Sequence, residues 1–227
     1  GDDLVRGGDG TDSLSGDAGN DTLDGGDGND TLAGGVGNNT YLFGRGDGQD
    51  VLNSAYDSTA GRINTIQFKA GVAPSDIVAR RLTDWGNEYL ELSIVGTTDK
   101  LSARYFFRDS DPTAYYNPVQ QVRFDDGTTW DLTAIVAKVL TGTSGDDTIT
   151  GGAGNDSLDG GTGRDVAAYT GTSTRFHVDH IGAGWRSDLT ALKALARKAG
   201  GKRIGQEFLQ AKHANKERLA DHIRREL

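Results

Sequence analysis

Apolar positions recur every nine residues in two parts of the chain. Leu14, Leu23 and Leu32 keep this spacing in the first part, and Ile149 and Leu158 keep it in the second. The residues between them are mostly polar and rich in glycine, with Ser or Thr just before each apolar position. Such a unit is too small to bury a core alone, so neighbouring units must stack. The pattern predicts, for each unit, a six-residue turn and a three-residue strand with one inward side chain.

Two blocks of in-register units carry the pattern. Residues 1–42 read GGDGTDSLS, GDAGNDTLD, GGDGNDTLA and GGVGNNTYL after a partial unit GDDLVR, and residues 142–168 read GTSGDDTIT, GGAGNDSLD and GGTGRDVAA. Two units make one coil of a flattened spiral, with turns on alternate edges, so turns two units apart stack. The predicted neighbours are Asp12 with Asp30, Asp3 with Asp21, and Asp147 with Asp165.

The turns carry the chemistry of a calcium site. Ca²⁺ is a hard cation that takes six to eight oxygen ligands. Glycines allow left-handed backbone that turns several carbonyls toward one point, and the sixth-position aspartates supply anionic oxygen. Stacked carboxylates repel without metal, and the glycine-rich backbone has much entropy to lose, so we expect metal binding and folding to be one event. The candidate ligands are Asp3, Gly8, Gly10, Asp12, Gly19, Asp21, Gly26, Gly28, Asp30, Gly35, Gly37, Gly145, Asp147, Gly152, Gly154, Asp156, Gly161, Gly163 and Asp165.

Three residues depart from the repeat. Asn39 stands where the other units have Asp, and Val36 replaces an acidic spacer. The site shared by Asp21 and Asn39 is therefore predicted to be weak or empty. Asp17 takes a position that is usually Gly, which predicts a perturbed turn there.

Composition and charge support a metal-stabilised protein. Apolar residues make up only 35% of the chain, and there is no cysteine to form disulfides or a thiolate site. Residues 1–52 carry 11 acids and 2 bases (net −9) and residues 142–165 carry 5 and 1 (net −4), whereas residues 166–227 carry 6 and 12 (net +6). No apolar run is long enough for a transmembrane helix. The absence of Met and of a signal-peptide pattern suggests a piece of a longer protein.

The repeats resemble the RTX family, the haemolysin-type calcium-binding nonapeptide repeat proteins. A glycine-rich disordered linker is the alternative, but a linker would not hold Asp and Leu at a fixed phase. The resemblance implies a calcium-bound parallel β-roll in a secreted toxin, exoenzyme or adhesin, with several Ca²⁺ ions and the type I secretion machinery as partners. In that family a segment similar to residues 40–52, TYLFGRGDGQDVL, closes a repeat block. Two interpretations stay open here: Asp47 and Asp50 bind a terminal Ca²⁺, or the segment is a polar hairpin turn.

The residues between the blocks have an ordinary composition. Alternation predicts strands at 63–68, 89–96 and 100–107, a helix start lies near Pro74 within 72–82, the Asp126–Gly127 turn predicts a hairpin over 119–132, and a short helix is expected at 133–140. The residues Ile66–Phe68, Ser75–Ile77, Leu90–Leu92 and FDDGTTW (124–130) resemble the haemolysin-type calcium-binding-related domain. That resemblance implies a β-rich α+β module without catalytic activity.

Two other functions remain open from the sequence. Aromatic residues of the central segment can stack on sugars or form its core: Tyr105, Phe106, Phe107, Tyr115, Tyr116 and Trp130. The tail has helical periodicity. Three interpretations of the tail stay open: a packed helix pair, a nucleic-acid-binding bundle, which is less favoured, and an unrelated appendage. The basic residues that would contact phosphates in the second interpretation are Lys193, Arg197, Lys198, Lys202 and Arg203. No nucleophile elbow, P-loop or HExxH motif indicates catalysis.

The sequence thus predicts a mostly β protein. Its parts are a β-roll block with a closing hairpin (1–52), a β-rich domain (53–141), a second roll block with capping strands (142–180) and a basic helical tail (181–227). The predicted function is a calcium-dependent folding and secretion module, with a carbohydrate-binding module and a nucleic-acid-binding tail as alternatives.

Overall fold

The computed structural model describes residues 1–53, 57, 59–84, 87–108, 111–114, 116–143, 145–151, 158–160 and 165–169. The chain divides into two compact units, Gly1–Thr141 and Gly142–Leu227. Several predictions lie outside the described residues, namely those on the tail from 170 onward and on Tyr115, Gly152, Gly154, Asp156, Gly161 and Gly163. No helix among the described residues is long and apolar enough to span a membrane.

The first unit is built mainly of two six-stranded sheets. In sheet order, the first contains β1 (Leu4–Gly10), β3 (Thr22–Gly28), β5 (Thr40–Phe43), β7 (Thr65–Phe68), β11 (Gln121–Arg123) and β12 (Thr129–Asp131). The second contains β2 (Ser13–Ser15), β4 (Thr31–Ala33), β6 (Gln49–Leu52), β10 (Lys100–Ala103), β9 (Asn87–Ile94) and β8 (Ile77–Asp84). A 3₁₀ turn, Pro74–Asp76, and one helix, α1 (Leu132–Val139), complete the described elements.

The repeats form a spiral whose successive coils pair in parallel. β1 pairs with β3 and β3 with β5, so that Leu23 lies between Val5 and Tyr41 in the first sheet. In the second sheet Leu14 pairs with Leu32 and Leu32 with Leu52. The inward eighth position of each unit therefore builds one continuous apolar row per sheet, as the nine-residue period predicts.

The sheets do not stop at residue 52. β7 adds to β5 and β10 adds to β6, both in parallel, so the residues after the repeats supply the next coil. Antiparallel pairs then finish each sheet, with β11 and β12 in the first and β10, β9 and β8 in the second. The boundary placed at residue 52 thus falls inside two continuous sheets.

Most predicted elements of the central segment are present, and one is wrong. The hairpin turns at Gly127, which has a φ of 86°, and α1 begins after Asp131, whose side chain accepts a hydrogen bond from the Ala134 N–H at 2.8 Å. The helix predicted from residue 72 is only the turn Pro74–Asp76, and Ile77–Asp84 forms β8. Eight residues of β8 pair with β9, and this tertiary pairing overrides the local helix signal.

The hydrophobic core is thickest on the C-terminal side of the repeats. Leu23, Leu32 and Leu52 are fully buried, whereas Val5 and Leu14 at the first coil are only partly buried. Beyond the repeats an aromatic chain fills the space between the sheets: Phe68 stacks on Phe124 with ring centroids 5.1 Å apart, and Phe124 meets Trp130 edge-on at 4.8 Å. The first unit is therefore held by ordinary apolar packing at one end and by much less of it at the other.

The second unit repeats the parallel pairing on a smaller scale. β13 (Thr148–Gly151) pairs with β14 (Val166–Tyr169), which aligns Ile149 with Ala167. Ile149 is buried. This register is the one that the nine-residue period predicts for residues 142–168.

The burial gradient predicts unequal effects of the same substitution at equivalent repeat positions. Leu32→Ala removes a fully buried side chain and is expected to lower the free energy of unfolding by about 2–5 kcal/mol. Leu14→Ala, at a partly exposed site, is expected to lower it by less than half as much, on the order of 1 kcal/mol. Urea denaturation with calcium present measures both. Equal losses would contradict the gradient.

Candidate metal centres

The sixth-position carboxylates form a ladder along each edge of the roll. On one edge the N–H of Asp12 donates to Oδ1 of Asp30 at 2.8 Å, and the N–H of Asp30 donates to Oδ1 of Asp50 at 2.9 Å. On the other edge the N–H of Asp3 donates to Oδ1 of Asp21 at 2.8 Å. The three predicted neighbour pairs are therefore adjacent, since the N–H of Asp147 also donates to Oδ1 of Asp165, at 3.0 Å.

The second oxygen of these carboxylates has no such partner. Among the described residues, Oδ2 is buried and without a hydrogen-bond partner in five members of the ladder, Asp12, Asp21, Asp30, Asp50 and Asp165. A buried anionic oxygen without a donor is strongly unfavourable. Its recurrence at one repeat position indicates that a ligand which is not part of the chain completes the site.

The space facing these oxygens is lined by carbonyls. A Cβ added to Gly7 would lie 2.6 Å from Oδ2 of Asp12 and 2.4 Å from the carbonyl oxygen of Gly25, and a Cβ on Gly25 would lie 2.2 Å from Oδ2 of Asp30. Gly7 and Gly16 thus each leave open a small cradle between a carboxylate and the carbonyl of a neighbouring coil, since a Cβ on Gly16 would lie 2.5 Å from Oδ2 of Asp21 and 2.6 Å from the carbonyl oxygen of Gly34. An all-oxygen cradle of this kind fits Ca²⁺.

Glycines at the second and fourth positions let consecutive turns stack closely. Gly26 and Gly28 have φ values of 93° and 148°, and a Cβ on Gly28 would lie 1.6 Å from the carbonyl oxygen of Gly10. Asp17 takes the same left-handed conformation, with a φ of 63°, and its carbonyl accepts a hydrogen bond from the Val36 N–H at 2.7 Å. The perturbed turn predicted at Asp17 is therefore not observed.

Backbone carbonyls must supply most ligands of each site. Nowhere among the described residues do three His, Cys, Asp or Glu side chains gather in a metal-binding cluster. A site made by two stacked carboxylates and surrounding carbonyls has low anionic charge for a divalent ion, which favours the weaker end of calcium affinities.

Electrostatics at Asp50 show why a cation is needed. The pKa of Asp50 is raised to about 7, mainly by burial; the carboxylates of Asp30 and Asp47 add to this rise, whereas the hydrogen bond from the Asp30 N–H and the charge of Lys69 oppose it. The ionised form is thus disfavoured in the fold without a metal. A bound cation would reverse this balance by stabilising the carboxylate.

Asn39 closes its edge with neutral groups. Its Oδ1 accepts the Asp21 N–H at 3.0 Å, while its Nδ2 donates to the carbonyl of Gly35 at 3.3 Å. The Tyr41 hydroxyl accepts the N–H of Gly34 at 3.1 Å, and burial raises the pKa of Tyr41 to about 12. An amide donor thus occupies a carbonyl that was predicted to face the metal. The geometry agrees with the expected weak site at this position.

The ladder extends past the repeats through residues that the period did not mark. The N–H of Asn39 donates to Oδ1 of Asn64 at 2.8 Å, so two amides follow the carboxylates on that edge. On the other edge Asp99 accepts the N–H groups of Gly46 and Gly48 at 2.9 and 3.0 Å. No sequence period reaches these residues, because they belong to segments outside the repeats.

Asp47 and Asp50 have different surroundings although they share a turn. Asp50 continues the ladder with an unpartnered Oδ2. Asp47 instead uses its Oδ2 to accept the Gly44 N–H at 2.8 Å and to pair with the Lys69 ammonium, also at 2.8 Å. Asp50 therefore remains a candidate calcium ligand, whereas Asp47 is already paired within the chain, although the sequence indicated both residues as candidate ligands of one terminal ion.

The central aromatic residues are mostly core. Phe106, Phe107 and Trp130 are buried, with Phe106 and Phe107 in edge contact at 4.7 Å. Tyr105 and Tyr116 stay partly exposed, with their ring centroids 5.8 and 4.0 Å from the Arg108 guanidinium carbon. A sugar-stacking surface would therefore involve fewer aromatic rings than the sequence suggested.

Comparison with known proteins agrees with the geometry of the ladder. The RTX calcium-binding nonapeptide repeat matches four times, at residues 1–23, 6–41, 15–52 and 139–167. The haemolysin-type calcium binding protein related domain matches residues 90–134. No curated protein matches the chain. Repeats of this kind bind Ca²⁺ ions. The chain therefore carries RTX calcium-binding nonapeptide repeats and, beside them, the haemolysin-type calcium binding protein related domain.

Proposed function

We propose that this chain is a calcium-dependent folding and secretion module of a secreted RTX protein, with no enzyme activity of its own. The observation that carries the proposal is the row of buried, unpartnered Oδ2 atoms on Asp12, Asp21, Asp30 and Asp50. Oδ2 of Asp12 and of Asp21 lies beside a backbone carbonyl in a cradle that a glycine leaves open and that a cation-sized ligand would complete.

The need for metal determines the calcium concentration at which the repeat coils fold. The first coils combine unpartnered carboxylates with partly buried Val5 and Leu14, so hydrophobic packing alone does not offset the charge repulsion. Weak calcium sites of extracellular modules fill only at about 10⁻⁴–10⁻³ M. The repeat coils of such a chain stay unfolded where calcium is scarce and fold once outside the cell.

The other candidate functions receive less support. Three of the aromatic residues that could stack on a sugar, Phe106, Phe107 and Trp130, are buried in the core. The basic tail on which the nucleic-acid hypothesis depends lies outside the described residues. Neither has an observation that favours it over the calcium-binding module.

A calcium titration of the 227-residue chain tests the proposal directly. We expect chelator to abolish amide hydrogen-exchange protection in β1 to β4, and added Ca²⁺ to restore it cooperatively together with β-type circular dichroism. Mg²⁺ at the same concentration serves as the control ion. Protection of β1 to β4 that is unchanged by chelator would overturn the proposal.

Asp30→Asn tests the ladder at its best-defined rung. The amide keeps the side-chain shape and an acceptor for Asp12 but removes the anionic Oδ2, so we expect the calcium midpoint to rise about tenfold. Asp27→Asn is the matched control, since Asp27 is exposed in the same turn and loses the same charge. Equal shifts for both variants would mean that net charge, rather than the ladder, sets the affinity.

Asn39→Asp tests whether the amide keeps calcium from its edge. The new carboxylate would complete the pair with Asp21 and free the Gly35 carbonyl, so we expect one additional bound Ca²⁺ per chain by isothermal titration calorimetry. Asn38→Asp, at an exposed neighbouring position, is expected to leave the stoichiometry unchanged. An unchanged count for Asn39→Asp would show that other groups exclude the ion.

A further inference from the structure

The side chain of Lys69 reaches the turn that contains Asp47 and Asp50, at an edge along which the carboxylate ladder runs. The Lys69 ammonium is 2.7 Å from Oδ1 of Asp24 and 2.8 Å from Oδ2 of Asp47, and the Asp47 side chain is almost fully buried. Burial alone would lower the pKa of Lys69, but hydrogen bonds to Asp24 and Asp47 outweigh it and raise the pKa. One ammonium therefore lies within ion-pair distance of two carboxylates.

The position of Lys69 links three successive coils. Asp24 ends the repeat unit 16–24, Asp47 lies in the turn of the next coil, and Lys69 directly follows β7 of the coil after that. The Lys69 N–H donates to the Phe43 carbonyl at 2.9 Å, and its stem passes over Gly44, where an added Cβ would lie 2.9 Å from the Lys69 Cβ. Gly44 thus provides the space for this crossing.

The side chains of Arg45 and Asp99 hold the same turn through further hydrogen bonds. Arg45 donates to the carbonyls of Gly71 and Val95, both at 3.2 Å, and pairs with Asp76 at 2.9 Å. Asp99 accepts the N–H groups of Gly46 and Gly48. The turn of residues 44–50 therefore has a dense set of protein contacts, in contrast to the cradles of the earlier turns.

We propose that Lys69 is a built-in counterion of Asp24 and Asp47 at the last coil, so that β5, β6 and the strands after them fold without calcium and form the end on which the calcium-dependent coils assemble. The inference rests on the proposed function. It assigns calcium-dependent folding to the residues before this coil, whereas calcium bound at Asp50, whose Oδ2 is unpartnered, adds stability to a coil that is already folded. The thick apolar core on that side supplies the remaining stability.

Hydrogen exchange of the whole chain in chelator tests the proposal. In the unmodified chain we expect protection in β5, β6, β9 and β10 but not in β1 to β4. Lys69→Met keeps the stem and removes the charge, so it should speed exchange in β5 and β6 about tenfold or more and raise the calcium midpoint about threefold. Lys100→Met is the matched control, because Lys100 is similarly exposed and pairs with the buried Glu91 at 3.2 Å.

A neutralised variant separates the charge from the packing of the stem. Asp24→Asn and Asp47→Asn combined with Lys69→Met remove the two acids together with their counterion, so protection of β5 and β6 in chelator should return. The proposal is overturned if this variant behaves like Lys69→Met alone, if Lys69→Met and Lys100→Met have equal effects, or if β5 and β6 of the unmodified chain are unprotected in chelator. The last result leaves the calcium-dependent folding of β1 to β4 intact, whereas protection of β1 to β4 in chelator refutes that proposed function instead.

Discussion

The roll depends on a carboxylate that hydrogen bonds can satisfy on only one side. Oδ1 of Asp30 and of Asp50 accepts an N–H from the coil before it, while Oδ2 of Asp12 and of Asp21 lies beside a backbone carbonyl of a neighbouring coil. A hydrogen bond to a charged acceptor contributes about 1.5–3 kcal/mol, which does not offset the repulsion and desolvation of the unpartnered oxygen. A cation at Oδ2 would complete the coil geometry, and this is the physical basis of the proposed coupling between calcium binding and coil stacking.

Two opposing gradients run along the first unit. Unpartnered carboxylates begin at Asp12 and end at Asp50, whereas complete burial of the inward side chains begins at Leu23 and continues into the aromatic chain of Phe68 and Phe124. Metal and hydrophobic packing thus stabilise overlapping but different parts of the same sheets. Because the strands pair continuously across residue 52, each coil stabilises the next through interstrand hydrogen bonds, so the two parts are energetically coupled.

The repeats could be predicted from the sequence almost completely, and the rest of the site could not. A fixed period determines both which side chains point inward and which turns stack, so the pair Asp12 and Asp30 follows from spacing alone. The period fails at Asp50, which lies 20 residues after Asp30, and at Asn64 and Asp99, which tertiary pairing brings to the edges. The strand β8 was missed for the same reason, since its pairing with β9 outweighs a local helix signal.

The exceptions along the ladder share one physical principle. Asn39 places a donor where another unit has an anion, and Lys69 places a fixed cation beside Asp24 and Asp47. Each exception removes charge repulsion with a group that belongs to the chain. Asn39 and Asp47 lie in the coil of residues 34–52 and Lys69 in the coil after it, next to the thick apolar core, where packing already holds the strands together. In the proposed arrangement, metal is needed for folding where the core is thin, and groups of the chain take over part of its role where the core is thick, with Asp50 keeping one unpartnered oxygen for a cation.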